Sequence, residues 1–374
     1  MTGREQETEV IVVGAGVSGL AAVSALCAAD VPVICLEARD RVGGRILSVG
    51  GWVDLGATWF WDNEPAMADT IASLGLATYP QAIDGDALFE RPDGGTVRLA
   101  GNPIDVPAWR LTGGMQTLAL ELARRLPDGV VQTGAPVAAL TFGADGRVHV
   151  TTNNRSLTGR MVVLAIPPRL AATSIEFSPP LPSDLARVAA SVHTWMSDMI
   201  KAVARFDEPF WYRSGLAGAA FSHAGPFREF HDHSGPEPSQ AAIFGFAPAA
   251  QLNDAPERVI AEQFTTQLTR LWGPPARHPS AVHIVDWSRE RFTATQAPTT
   301  LPASSPYGNP VLHIPHMHGR LAFASTETAA DFAGHLEGAL LAGRRAADQA
   351  LNLLARHTAP RPRVSGGLRV AGEK

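Results

Sequence analysis

The 374-residue chain is poor in cysteine and in charge. Its two cysteines, Cys27 and Cys35, lie on segments that read as buried elements, with no metal-binding or redox spacing. That excludes a disulfide framework and leaves two small core residues in a reducing compartment. Charged residues make up 18% of the chain and the net charge is -5, so there is no basic footprint for nucleic acid. No apolar run approaches the ~20 residues of a membrane-spanning helix. The leader "MTGREQETE" lacks the apolar core of a secretory signal. A cytoplasmic protein without a membrane anchor is expected. Glycine and proline are plentiful, at 35 and 29 residues, and 45% of the chain is hydrophobic. This suits a turn-rich α/β protein long enough for two domains or one large interleaved one.

The segment "EVIVVGAGVSGLAAVSAL" carries G-x-G-x-x-G at Gly14, Gly16 and Gly19. The pattern alone is weak. Here it follows a short β-branched run and opens a helix expected from Val17 to Ala29, and "VPVICLE" supplies a second strand. Glu37 ends that strand at the spacing of a dinucleotide fingerprint. Gly14 permits the turn, Gly16 lets the backbone approach a pyrophosphate, and Gly19 lets helix and strand pack closely. Helix N-terminal N–H groups would face the phosphates, and Glu37 would accept from a ribose diol.

Further along, "ALFERPDGGTVRLA" predicts a hairpin turning at Asp93-Gly94-Gly95. A helix is expected over about Met115–Leu126, and "VVQTG", "PVAALTFG" and "RVHVTT" read as a meander. "MIKAVARF", "LAGAAFS", "QAAIFGF" and "AVHIVDW" read as strands. Asp254 is the expected cap of a helix beginning near Pro256, with Ile260, Phe264, Leu268 and Leu271 on one face. "GRLAFAST" and a helix over about 334–354 close the fold. The expected fold class is α/β. A Rossmann-like nucleotide-binding domain (1–59, 112–192, 288–356) is interleaved with a substrate domain on a mixed or antiparallel sheet (60–111, 193–287), and 357–374 forms a flexible tail.

Several motifs in series decide between nucleotides. "EARDRVGGRI", with Arg39, Gly44 and Arg45, resembles the second glycine loop of the flavin monoamine oxidase family. "GGWVDLGATW", with Gly56, Ala57, Thr58 and Trp59, is similar to the family's stretch along the ribityl chain and flavin ring. "LTGGMQTLALELA", "PVAAL", "VVLAIPPRL" and "GRLAFASTETAADFAGHLEGALLAGRRAA" match in the same order. The resemblance implies FAD, with Val137 at the adenine, Glu327 at the ribityl hydroxyls and Leu336 at the flavin pyrimidine edge. It also implies that Lys201 holds a water beside flavin N5, with Trp287 near that water.

The chain departs from the family at three places. Where covalent members carry a flavin-linking cysteine, Gln296 stands, so non-covalent FAD is expected. The two aromatic rings that flank the amine are replaced by Ala297 and His335, which puts a simple arylalkylamine in doubt. His335 could take a proton from a substrate ammonium or pair with a substrate anion. Between "GATW" and "LTGG" the chain is also short, so the pocket should be more open or closed by another subunit, as in a homodimer. The histidines of "HIPHMH" (His313, His316, His318) and "FHDH" (His231, His233) read as solvated loop residues, and no metal is expected. The leading expectation is an FAD-dependent oxidase that converts an amine to an imine, with O2 returning the flavin and giving H2O2. A flavin desaturase or isomerase of a non-amine, and a non-catalytic FAD-binding subunit, are the alternatives.

Overall fold

The computed structural model describes residues 6–252, 254–295 and 307–358. Its centre is a five-stranded parallel sheet in the order Val131–Gln132, Val33–Leu36, Val10–Val13, Met161–Leu164, Leu321–Phe323. The three inner strands are apolar on both faces because both faces are covered. The first helix, Val17–Ala28, and the closing helix, Leu336–Thr358, pack together on one side. Glycine lets them approach: a Cβ on Gly343 would stand 2.2 Å from the Ser18 carbonyl oxygen. Leu20, Val23, Leu26, Leu340 and Ala346 fill the seam. The opposite side of the sheet is covered by a second five-stranded sheet, in which Val137–Phe142 runs antiparallel to Val148–Thr152.

A seven-stranded sheet forms the other half of the molecule, in the order Ala281–Asp286, Met199–Phe206, Ala241–Pro248, Glu229–Asp232, Leu216–Ser222, Asp86–Glu90, Thr96–Leu99. The helix Glu257–Trp272 covers one face with Ile260, Phe264, Leu268 and Leu271, the positions its sequence spacing predicts. Register builds the other face. Val285, Lys201, Phe246 and Glu229 are successive cross-strand partners. Side chains alternate between the faces of a strand, so this row shares one face.

Two local expectations are corrected, and one helix is added. "VVQTG" does not join the meander: Val131–Gln132 pairs parallel with Cys35 and Leu36, where its backbone completes the edge of the central sheet. Asp254 does not cap the following helix. It sits at a φ of 56°, and the helix starts after Pro256 without a side-chain cap. The segment 60–111 contains the helix Pro65–Leu74, with Pro65 in its first turn and Met67, Thr70, Ile71 and Leu74 buried.

Candidate active site

One continuous cavity of about 890 Å³ runs from the glycine turn to the row of residues on the seven-stranded sheet. Its first stretch is built from backbone. Gly14 turns at a φ of 101°, and its N–H donates to the Leu36 carbonyl at 2.8 Å. A Cβ on Gly16 would meet no protein atom within 4 Å, because it would project into the cavity. A Cβ on Gly19 would stand 1.9 Å from the Gly14 carbonyl oxygen, so this glycine serves helix–strand packing and not the cavity. The first helix begins at Val17, and Gly16, Val17 and Ser18 line the groove, which places free helix N–H groups on its wall.

Glu37 is buried at the end of its strand and lines the same groove. One carboxylate oxygen accepts from the Ala15 N–H at 2.7 Å and the other from the Arg39 N–H at 2.9 Å. A carboxylate has about four acceptor sites, so two remain for hydroxyl groups. Val137 lines the groove beside it. The loop after Glu37 is fastened at each arginine. Arg39 pairs with Glu290 at 2.9 Å, Arg41 donates to three carbonyls of its own loop, and Gly43 bridges to Gly16. Gly44, at a φ of 58°, lies against the Gly16 backbone. Arg45 reaches across to Glu327, at 2.6 and 3.1 Å. Burial alone would raise the Glu327 carboxyl, but Arg45 prevails and holds it below the usual range. Among these residues Glu327 is not a wall of the cavity: it stands behind Arg45 and orients it.

The far stretch is built from side chains. Gly56, Ala57, Thr58 and Trp59 form one wall. Lys201 is fully buried, and its ammonium donates to the Gly56 carbonyl at 3.0 Å and to Thr58 Oγ1 at 2.5 Å, 4.1 Å from the centre of the Phe244 ring. Burial lowers it to about 7, with Asp54 pulling it back up and Arg110 pushing it further down. Trp287 is buried on the same wall, its indole N–H fixed to the Leu55 carbonyl at 3.0 Å. Trp59 meets Trp61 edge-on at 6.5 Å, and the His335 ring lies 5.0 Å from Trp61. His335 and Leu336 bring the start of the closing helix onto the wall.

The structure thus brings together Gly14, Gly16, Glu37, Arg39, Gly44, Arg45, Val137, Lys201, Trp287, His335 and Leu336, with the 56–59 wall. Gln296 and Ala297 lie outside the described residues. Two histidines differ from the solvated reading. His231 is buried between Asp105 and Glu229, at 2.5 and 2.8 Å. Burial pushes this imidazole down, but the two carboxylates prevail and raise it. His233 is buried against Trp52 and accepts the Asp54 N–H at 2.8 Å, and burial, Arg110 and Lys201 keep it neutral. Sequence reasoning missed Glu64, Glu229 and Trp195. Of these, Glu229 had a signal, since it alternates with His231 along a strand whose register puts it beside Phe246.

A family profile described as "Flavin containing amine oxidoreductase" matches residues 17–110 and 93–351, nearly the whole described chain. The chain belongs to the flavin-containing amine oxidoreductase family. It is a flavoenzyme that acts on amine donors. It is 25% identical to a probable flavin-containing monoamine oxidase A of Dictyostelium discoideum, over 90% of this chain and 96% of the relative. It is 26% identical to putrescine oxidase of Kocuria rosea, over 92% and 95%. The first alignment spans 446 positions, more than this amine oxidoreductase has residues, so that relative carries segments absent here. The fold is also that of cyclohexylamine oxidase from Brevibacterium oxydans IH-35A, with a TM-score of 0.82 at 20% identity, covering 93% of this chain and all of that one. FAD fits the cavity by the chemistry of its walls: an N–H-lined turn without a Cβ in the way, a carboxylate with spare acceptor sites, and an apolar channel leading to the aromatic end.

Proposed function

We propose that this chain binds FAD without a covalent link and oxidises the C–N bond of an amine to an imine, with O2 as the final acceptor and H2O2 as product. The observation that carries the reading is the single cavity joining a dinucleotide turn to a buried lysine and an aromatic, histidine-bearing end. When bound, FAD supplies the acceptor for the hydride that leaves the amine-bearing carbon, and it passes the electrons on to oxygen.

This chain's residues would hold and surround it. The turn at Gly14 and Gly16 receives the diphosphate, and Glu37 the ribose hydroxyls. Arg45, held by Glu327, lines the path of the ribityl chain. The positive end of the closing helix at Leu336 stabilises negative charge that develops near it. Lys201, close to neutral and tied to Gly56 and Thr58, holds a water and assists the return of electrons to O2. Trp287 packs beside it. His335 faces the substrate, as a proton acceptor for the ammonium or as the partner of an anionic group. Non-covalent attachment is supported by the place of both thiols: Cys35 is buried and its Sγ donates to the Gly14 carbonyl, and Cys27 lies on the first helix. Two free thiols also suit a cytoplasmic setting.

Peroxide release during turnover with an amine tests the reading. Amine-dependent peroxide with imine or carbonyl product supports it. Conversion of a non-amine without peroxide would assign the site to a desaturase or isomerase instead.

A further inference from the structure

Two helix starts clasp each other at the cavity rim. Glu337, in the first turn of the closing helix, accepts from the Ala66 and Met67 N–H groups at 2.9 and 2.7 Å, the first turn of the Pro65–Leu74 helix. In return Glu64, just before that helix, receives His335, just before the closing helix: Glu64 Oε1 lies 2.6 Å from His335 Nδ1. The other Glu64 oxygen accepts from the Trp61 N–H at 3.1 Å. Glu64 is 1% exposed, whereas the His335 side chain is 43% exposed and lines the cavity. The His335 backbone is fixed too, since its carbonyl accepts from Thr326 Oγ1 at 2.7 Å. The imidazole therefore cannot turn away without breaking a carboxylate bond sealed from water.

We propose that Glu64 is a positioning residue that holds His335 as its Nδ1–H tautomer, so that Nε2 presents a lone pair to the substrate ammonium. The proposal rests on the amine-oxidising reading of the cavity and settles which role His335 plays there. A carboxylate can only accept, so the bonded Nδ1 carries the proton, and in the neutral ring Nε2 is the acceptor. The substrate ammonium donates an N–H to Nε2. As its proton moves there, the N–H bond breaks, the amine keeps the electron pair, and the imidazolium is balanced by the Glu64 charge. The proton then leaves from Nε2 to water. An anionic substrate group gains little at this place, because the buried carboxylate lies directly behind the ring.

Glu64→Gln changes one atom and tests this. The Trp61 N–H requires an acceptor, so the amide oxygen takes that side and the NH2 faces Nδ1. It must donate, which forces the proton onto Nε2. In the FAD-loaded wild type, ¹⁵N NMR of the His335 ring is expected to show Nδ1 protonated. In E64Q it shows Nε2 protonated, with flavin content and Tm unchanged. Anaerobic flavin reduction by the amine then slows by about 100-fold, the scale of a lost general base. In a His335→Phe background, Glu64→Gln adds no further loss, because the ring through which it acts is gone. Nε2–H in the wild type, E64Q reducing at the wild-type rate, or an equal further loss in the H335F background would each overturn the proposal. If no amine reduces the wild-type flavin, the amine reading fails while the tautomer is still measured, so the two failures are distinguishable.

Discussion

Replacing Lys201 by methionine should remove a pH dependence from the stability of the protein. The ammonium is fully buried, and burial lowers it from 10.5 to about 7. Above pH ~10.5 the amine is neutral in both states. As pH falls from there toward 7, the unfolded chain takes up a proton that the folded chain refuses, so stability falls. Below about pH 7 both states are protonated and the loss is complete. At ~1.36 kcal/mol per unit, the gap of roughly 3.5 units costs about 5 kcal/mol. Methionine has no proton to refuse. It leaves the Gly56 carbonyl and the Thr58 hydroxyl without the lysine, at about 1–3 kcal/mol each, but this cost does not vary with pH. Urea unfolding of both proteins, saturated with FAD, at pH 9.5 and 7.5 is the assay. Wild type should lose about 3 kcal/mol relative to Lys201→Met over that interval. A constant difference would show that the folded protein keeps this lysine charged across the interval, as the unfolded chain does.

Lys201→Met should also slow flavin reoxidation by O2 far more than flavin reduction by amine, and equal slowing in stopped-flow experiments would remove the lysine from the oxygen step. Gly16→Val and Gly19→Ala separate binding from folding: the first should keep the Tm of the flavin-free protein but lose FAD, and the second should lose Tm, because its Cβ would overlap the Gly14 carbonyl. Identical behaviour of the two variants would contradict the assigned roles. Glu327→Gln leaves the Arg45 charge without its partner and should cost about 3 kcal/mol near neutral pH. That difference should shrink as pH falls through the depressed Glu327 carboxyl value, where the wild type also becomes protonated, and a pH-independent difference would count against the pair. Acid or heat should release intact FAD into the supernatant, whereas flavin that stays with the precipitated chain would disprove non-covalent binding.

The glycine-turn end of the cavity was legible because it is local. Gly14, Gly16, Gly19 and Glu37 act through backbone turns and strand ends within one βαβ unit, and sequence spacing fixes those directly. The helix Pro65–Leu74 was missed although Met67, Thr70, Ile71 and Leu74 recur at helical spacing: its start carries no side-chain cap of its own and is capped from far away by Glu337. Glu64 was invisible for the same reason, since its role depends on a contact 271 residues along the chain. Glu327 was placed at the ribityl hydroxyls, yet its carboxylate belongs first to Arg45, a pairing that only the folded chain reveals. His231 and His233 looked like loop residues among glycine, serine and proline. They are buried because the strand Glu229–Asp232 sits inside the seven-stranded sheet, with partners from distant segments.

Anaerobic titration of the FAD-loaded protein with a panel of primary amines, secondary amines and diamines shows directly whether amines are what this site oxidises. At least one amine should bleach the visible flavin absorbance and form one imine per flavin, and admitting air should restore the absorbance with one H2O2. Full persistence of the oxidised spectrum with every amine, together with bleaching by a non-amine substrate, would contradict amine oxidation at this site.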